Sequence, residues 1–199
     1  GSVTAFDTGS GERRWQFFSD GPVRFAPVAN GDKVYFGSDD GCVYCLAASD
    51  GQVVWKRQVG PDGRRLLGHG KMISMWPIRT GVLVDNGIAY YGAGIFSAEG
   101  VYMEAVRADD GKLLWRNDTG GEATESRISL QGYLLATADT LYAPMGRTSP
   151  SVYDRKDGRL LQSPSFGKTI GGSYAVIADG VLYNGTEEIL AFKGLTKAR

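Results

Sequence analysis

Apolar and polar positions alternate along this chain in short runs, each run stops at turn residues, and the pattern returns many times. The clearest copy is Val34–Lys56, VYFGSDDGCVYCLAASDGQVVWK, which reads as three strands joined by two turns. Val, Tyr, Phe and Trp interleaved with small or polar residues suit a pleated surface buried on one side. Asn30-Gly31, Asp50-Gly51, Asn86-Gly87, Asp110-Gly111 and Asp157-Gly158 supply the positive φ that tight hairpins demand. No segment sustains a helical period, so the sequence predicts an all-β chain.

The runs are copies of one unit. Aligned on the last turn and strand they read TAFDTGSGERRW (4–15), YCLAASDGQVVW (44–55), EAVRADDGKLLW (104–115) and SVYDRKDGRLLQ (151–162), with LAFKG (190–194) breaking off early. The turn glycines Gly11, Gly51, Gly111 and Gly158 are spaced by 40, 60 and 47 residues. A period near 40 residues with about four strands per unit is the signature of propeller blades. The expected layout is one domain over 1–199, made of an incomplete blade at 3–18, blades at about 22–58, 73–117 and 126–163, and a partial blade at 173–194. About four antiparallel four-stranded blades are thus present. They either close on themselves or form part of a larger propeller of up to eight blades, which the uncovered ends favour.

Departures from the template point to a loop-bearing face. From Trp55 to Tyr90 the chain takes 35 residues where Trp15 to Tyr35 takes 20, and the surplus lies in RQVGPDGRRLLGHGKMISMWPIR (57–79). A smaller addition, GAGIFSAEG (92–100), follows Tyr91. Strands alternate in direction, so both additions are predicted on one rim, where binding residues gather. A third long connection, TGGEATESRISLQG (119–132), carries Glu122, Glu125 and Arg127.

Composition narrows the function classes. Lys plus Arg is 22 and Asp plus Glu is 22, so there is no electrostatic case for nucleic acid or an anionic membrane surface. No run is long enough to span a bilayer and no signal peptide stands at the start, where Gly1-Ser2 reads as a cloning scar. The two cysteines, Cys42 and Cys45, sit three apart in a strand and so face opposite sides, which favours packing over redox or metal chemistry.

The pattern Ala-x-Asp-x-x-x-Gly-x-x-x-Trp, fullest at Ala5, Asp7, Gly11 and Trp15, resembles the tryptophan-docking motif of the pyrroloquinoline-quinone (PQQ)-like propeller repeat family. Later copies keep Gly51 with Trp55, Ala105 with Gly111 and Trp115, and Asp154 with Gly158. The resemblance implies that each Trp wedges between neighbouring blades with its indole N–H bonded to backbone. Gln162 in place of Trp, and Arg107 in place of Asp, depart from it. The family contains quinoprotein dehydrogenases and a non-enzymatic propeller lipoprotein of the outer-membrane assembly machinery. It therefore implies a bacterial, periplasmic or secreted protein. The dehydrogenases need adjacent cysteines and clustered calcium ligands, which this sequence does not supply, so no cofactor, neither PQQ nor Ca²⁺, is expected.

Candidate binding residues lie on the additions. His69 is the only histidine, and Arg65, His69, Lys71, Trp76 and Arg79, with Glu99 and Arg127, would make a basic, aromatic-bearing rim for a carboxylate. The simpler alternative is a solvated loop whose Trp76 plugs a blade junction. Glu99, Glu122 and Glu125 as a glycosidase acid/base set have no spacing to support them. The leading expectation is a non-catalytic binding or scaffold module for a protein partner or an acidic carbohydrate, with a homodimer as one way to complete a ring. The alternative is a fragment of a quinoprotein dehydrogenase or a carbohydrate-active enzyme.

Overall fold

The computed structural model describes residues 1–68, 70–118, 128–146, 148–162 and 171–185, together with the backbone of two further strands, Leu190–Lys193 and Thr196–Lys197. It is all-β apart from a 3-10 turn at Ser97–Glu99. An opening hairpin pairs β1 (Ser2–Phe6) with β2 (Arg13–Phe18). The second blade comprises β3 (Val28–Asn30), β4 (Lys33–Gly37), β5 (Cys42–Ala47) and β6 (Val53–Gln58). A separate hairpin follows, β7 (Arg65–Gly68) with β8 (Lys71–Ser74). The third blade is β9 (Leu83–Asp85), β10 (Ile88–Ala93), β11 (Tyr102–Arg107) and β12 (Leu113–Asn117). The fourth is β13 (Leu135–Ala136), β14 (Thr140–Ala143), β15 (Ser151–Asp154) and β16 (Leu160–Gln162). The last is β17 (Ala175–Ala178), β18 (Val181–Asn184), β19 (Leu190–Lys193) and β20 (Thr196–Lys197).

Each four-stranded sheet is an antiparallel meander in sequence order. First strands of successive sheets lie side by side, β3 with β9 and β13 with β17, which sets them innermost. Two blade limits differ from those read off the sequence. Residues 71–74 pair with 65–68 and not with the third blade, whose strands begin at Leu83, because the apolar runs on either side of the turn at Gly70 are complementary to each other. The last copy extends past 194 to a fourth short strand at Thr196–Lys197.

The repeat fixes geometry as well as topology. A register shift between the third and fourth strands recurs at Ala5/Phe6, Cys45/Leu46, Ala105/Val106 and Val152/Tyr153. Just before it, a small residue stands opposite the aromatic one: Ala5 with Trp15, Cys45 with Trp55, Ala105 with Trp115. Each indole then reaches the next sheet. Trp15 Nε1 donates to the Ala48 carbonyl at 2.9 Å, Trp55 Nε1 to Ala108 at 2.8 Å and Trp115 Nε1 to Arg155 at 3.1 Å. Their rings cover Gly51, Gly111 and Gly158, where an added Cβ would come within 2.7, 2.8 and 2.3 Å. A buried indole needs both the apolar bed and the acceptor. Asp7 accepts from the Gly9 and Ser10 N–H groups and from Arg14, tying its turn together. Gln162 ends β16 beside residues 163–170, outside the described set.

The core lies between sheets and has no single centre. One cluster, with Phe36, Cys42, Tyr44 and Leu46, faces the opening hairpin; another, with Tyr35, Val43, Cys45 and Trp55, faces the third blade. Cys42 and Cys45 are therefore buried on opposite faces of β5 as free thiols.

Candidate functional site

The hairpin β7–β8 is built from RLLG and KMIS around Gly70, whose φ of +73° makes the tight reversal. Its pairs are Arg65 with Ser74, Leu66 with Ile73, Leu67 with Met72 and Gly68 with Lys71. Alternation puts Ile73 into the core at 4% exposure and leaves Leu67 and Met72 side by side in solvent, 72% and 52% exposed. Arg65 and Lys71 are exposed as well, and neither forms an ion pair among the described residues.

The hairpin sits on a fixed seat. Trp76 is fully buried, its ring against Gly60, and its indole N–H donates to the Glu99 carbonyl at 2.6 Å. The Arg64 guanidinium lies 4.9 Å above that ring, with Nη1 3.6 Å from the Glu99 carboxylate, and Tyr102 meets its edge at 6.4 Å. The two additions to the third blade are thus clasped together through one tryptophan. Beneath them Glu104 is completely buried and accepts from Arg57 at 2.9 Å, Tyr91 at 2.8 Å and Arg116 at 2.5 Å. This group joins the second blade to the third, since Arg57 is on β6 and Glu104 on β11. Burial, and then the Glu104 charge, push the Tyr91 hydroxyl well above its ordinary pKa, so it stays a donor.

Between the hairpin and β6 opens a cleft of about 340 Å³ lined by Asp20, Asp40, Lys56, Gln58, Arg65 and Ser74 among others. Asp40 is held by the Tyr44 hydroxyl at 2.6 Å and the Cys42 N–H at 2.9 Å. Lys56 lies 5.0 Å over the Tyr44 ring and has no ion pair among the described residues. Burial pushes the neighbouring Cys42 thiol up to about 11, so it remains protonated.

The rim read from the sequence is divided by the structure. Arg65 and Lys71 share the hairpin, but Trp76 is buried beneath it because the glycine bed and the Glu99 carbonyl take its ring, so it is closed to a ligand. The Glu99 carboxylate is paired with Arg64. Arg79 turns away to the fully buried Asp39, at 3.6 Å, which also takes Arg24 at 2.6 Å. Those residues therefore do not converge on one acidic sugar. His69, Glu122, Glu125 and Arg127 lie outside the described residues. Sequence reasoning missed Leu67, Met72, Lys56 and the Glu104 group. The first two carried a signal, since two apolar runs flanking Gly-His-Gly spell a hairpin. Near the first strands, Phe25, Tyr133 and Tyr174 stand in a row with centroids 5.2 and 5.5 Å apart.

Comparison with known proteins bears on this arrangement. The family described as outer membrane protein assembly factor BamB matches residues 1–187. A protein of that name from Alkalilimnicola ehrlichii is 29% identical over 157 residues, 77% of this chain and 37% of its own length. A quinohemoprotein alcohol dehydrogenase from Pseudomonas putida is 28% identical over 127 residues, 57% of this chain and 17% of its own. Among solved structures, BamB from Moraxella catarrhalis superposes with a TM-score of 0.70 at 18% identity, covering 99% of this chain and 57% of that one. Quinohemoprotein alcohol dehydrogenase from Comamonas testosteroni gives 0.71 at 16% identity, covering 98% and 39%. These superpositions place the fold among PQQ-like β-propellers. The chain spans little more than a third of the length of the first curated relative it matches.

Proposed function

The chain belongs to the family of outer membrane protein assembly factor BamB, and on that premise we propose that it is a non-catalytic, extracytoplasmic propeller that binds a protein partner on its loop-bearing face. The observation that carries this reading is the added hairpin, which holds Leu67 and Met72 in solvent on a seat locked by Trp76 and Arg64. An exposed apolar pair on a rigid element, beside cations that form no ion pair among the described residues, suits the centre of a protein interface. The matched relatives are named for outer-membrane assembly, so partners of that class are the first to try. Retention of the source bacterium's outer-membrane assembly proteins on this chain is expected to fall at least about tenfold for the Leu67→Asp, Met72→Asp variant. Equal retention by both proteins overturns the reading.

A second reading, a fragment of a quinoprotein dehydrogenase, is favoured by the Pseudomonas putida relative. The quinone sandwich of such enzymes asks for adjacent cysteines, whereas Cys42 and Cys45 are buried on opposite faces of β5. Among the described residues no three His, Cys, Asp or Glu side chains gather as a metal-holding set. These residues do not fit the group. Titration with PQQ and Ca²⁺ decides, and saturable binding would favour the enzyme.

A further inference from the structure

We propose that the outer edge of β7 accepts an extended strand from the partner, one that carries an acidic and an apolar residue two positions apart. The inference rests on the protein-binding reading above and states how the contact is made.

The hydrogen-bond pattern of the hairpin identifies the open edge. The Arg64 carbonyl accepts from the Met75 N–H at 2.9 Å, so the pair outside Arg65 and Ser74 is a hydrogen-bonded one. In an antiparallel ladder such pairs alternate with pairs whose main-chain groups point outward. Arg65 with Ser74 and Leu67 with Met72 are therefore the outward-pointing pairs. On β8 the outward Ser74 N–H is already used, donating to the Asp39 carbonyl at 2.7 Å. On β7 the outward N–H and C=O groups of Arg65 and Leu67 have no main-chain partner among the described residues, and β7 pairs only with β8. Four such groups in register on an exposed strand are a template for strand addition.

The side chains on that edge say what the added strand carries. Arg65 and Leu67 are two residues apart and so project from one face. A neighbouring strand sets two residues of its own, likewise two apart, beside them. Next to Leu67, with Met72 across the hairpin, an apolar side chain covers exposed surface. Next to Arg65 an acidic side chain meets a guanidinium that has no ion pair among the described residues.

The test uses an octapeptide, Thr-Glu-Thr-Val-Thr-Glu-Thr-Val, added to the ¹⁵N-labelled chain while amide exchange is followed. Saturable binding that slows exchange at Arg65 and Leu67 is expected. An N-methylated peptide that cannot pair, and one with Lys for Glu, should each bind at least about tenfold more weakly. Leu67→Pro removes an outward N–H that the hairpin does not use, and should weaken binding about tenfold. Absence of binding up to about 1 mM, binding without protection at Arg65 and Leu67, or equal binding of the N-methylated peptide overturns strand addition. The last comparison needs no variant and decides even if Leu67→Pro disrupts the hairpin. If partner retention still depends on Leu67 and Met72 when the peptide result is negative, the docking surface stands and only the pairing mode falls.

Discussion

Gly11 and Gly111 share a backbone conformation, with φ of +74° and +70°, but not a neighbourhood. A Cβ on Gly11 meets nothing within 4 Å, while one on Gly111 would lie 2.8 Å from the Trp55 ring. Gly11→Ala should therefore cost only the left-handed strain, about 1 kcal/mol. Gly111→Ala adds overpacking at a blade junction and should cost about 2–4 kcal/mol. Urea midpoints of the two variants check this, and equal losses would show that the ring is not wedged on the glycine. Asp7 gives a pH test. The Ser10 N–H, then the Arg14 guanidinium and the Gly9 N–H, hold its carboxyl at about 2 against an ordinary 3.8. The unfolded chain binds that proton more readily, so the contribution is complete above about pH 5 and is lost as pH falls toward 2. Asp7→Asn should flatten stability against pH in that window alone, read as urea midpoints between pH 2 and 6. Arg107, where the pattern has Asp, reverses the charges without opening the turn: it pairs with Asp110, and the Gly111 N–H still donates to its carbonyl at 2.9 Å.

At the scale of elements, the sheets were legible in the sequence because each strand carries its own signal: alternation, a terminal Asn-Gly or Asp-Gly, and a Trp at fixed distance from the turn glycine. The added hairpin carried only the local signal of two apolar runs around Gly-His-Gly, and this was overridden because no second copy exists to align it with and its pairing competes with a first strand assigned by analogy. The site failed for a different reason. The sequence offered Trp76 and Arg79 as part of a rim, or Trp76 as the plug of a blade junction, and could not choose, because their positions depend on Gly60, Glu99 and Asp39, each from another loop. Nothing in local spacing encodes such meetings. Trp76 is nevertheless the residue on which the hairpin's placement turns. Trp76→Ala removes a fully buried ring and strips the Glu99 carbonyl of its donor, and should cost about 3–5 kcal/mol. Trp76→Phe keeps much of the apolar contact and should cost less, by at least the roughly 1 kcal/mol of a hydrogen bond. If Trp76→Ala leaves amide exchange across 65–74 unchanged, the hairpin is held by something other than this ring.

The whole molecule has no common core, and that decides how it should come apart. Among the described residues the buried apolar side chains fall into separate groups at successive junctions: five between the opening hairpin and the second blade, thirteen between the second and third, eleven between the third and fourth, and three between the fourth and the last. Sheets that touch only their neighbours have stability that is a sum over junctions, so opening should be local and graded. Polar contacts across the junctions oppose complete independence, and the docked indoles and the Glu104 group are joined by two more. Arg155 crosses from the fourth blade to Asp85 and the Tyr90 hydroxyl of the third, and the Ala26 N–H of the second blade's lead-in donates to the Tyr133 hydroxyl ahead of the fourth. The second to fourth blades should consequently behave as one cooperative unit, with the last blade outside it. In native-state hydrogen exchange the amides of β5, β10 and β11 are expected to be the slowest, and those of β17 and β18 to exchange sooner by at least about tenfold, or 1.4 kcal/mol. Arg155→Ala should speed exchange in β13 to β16 and leave β4 and β5 untouched. Uniform protection from β1 to β18 would mean that the junctions are not the units of stability, and the argument from separate clusters would fail.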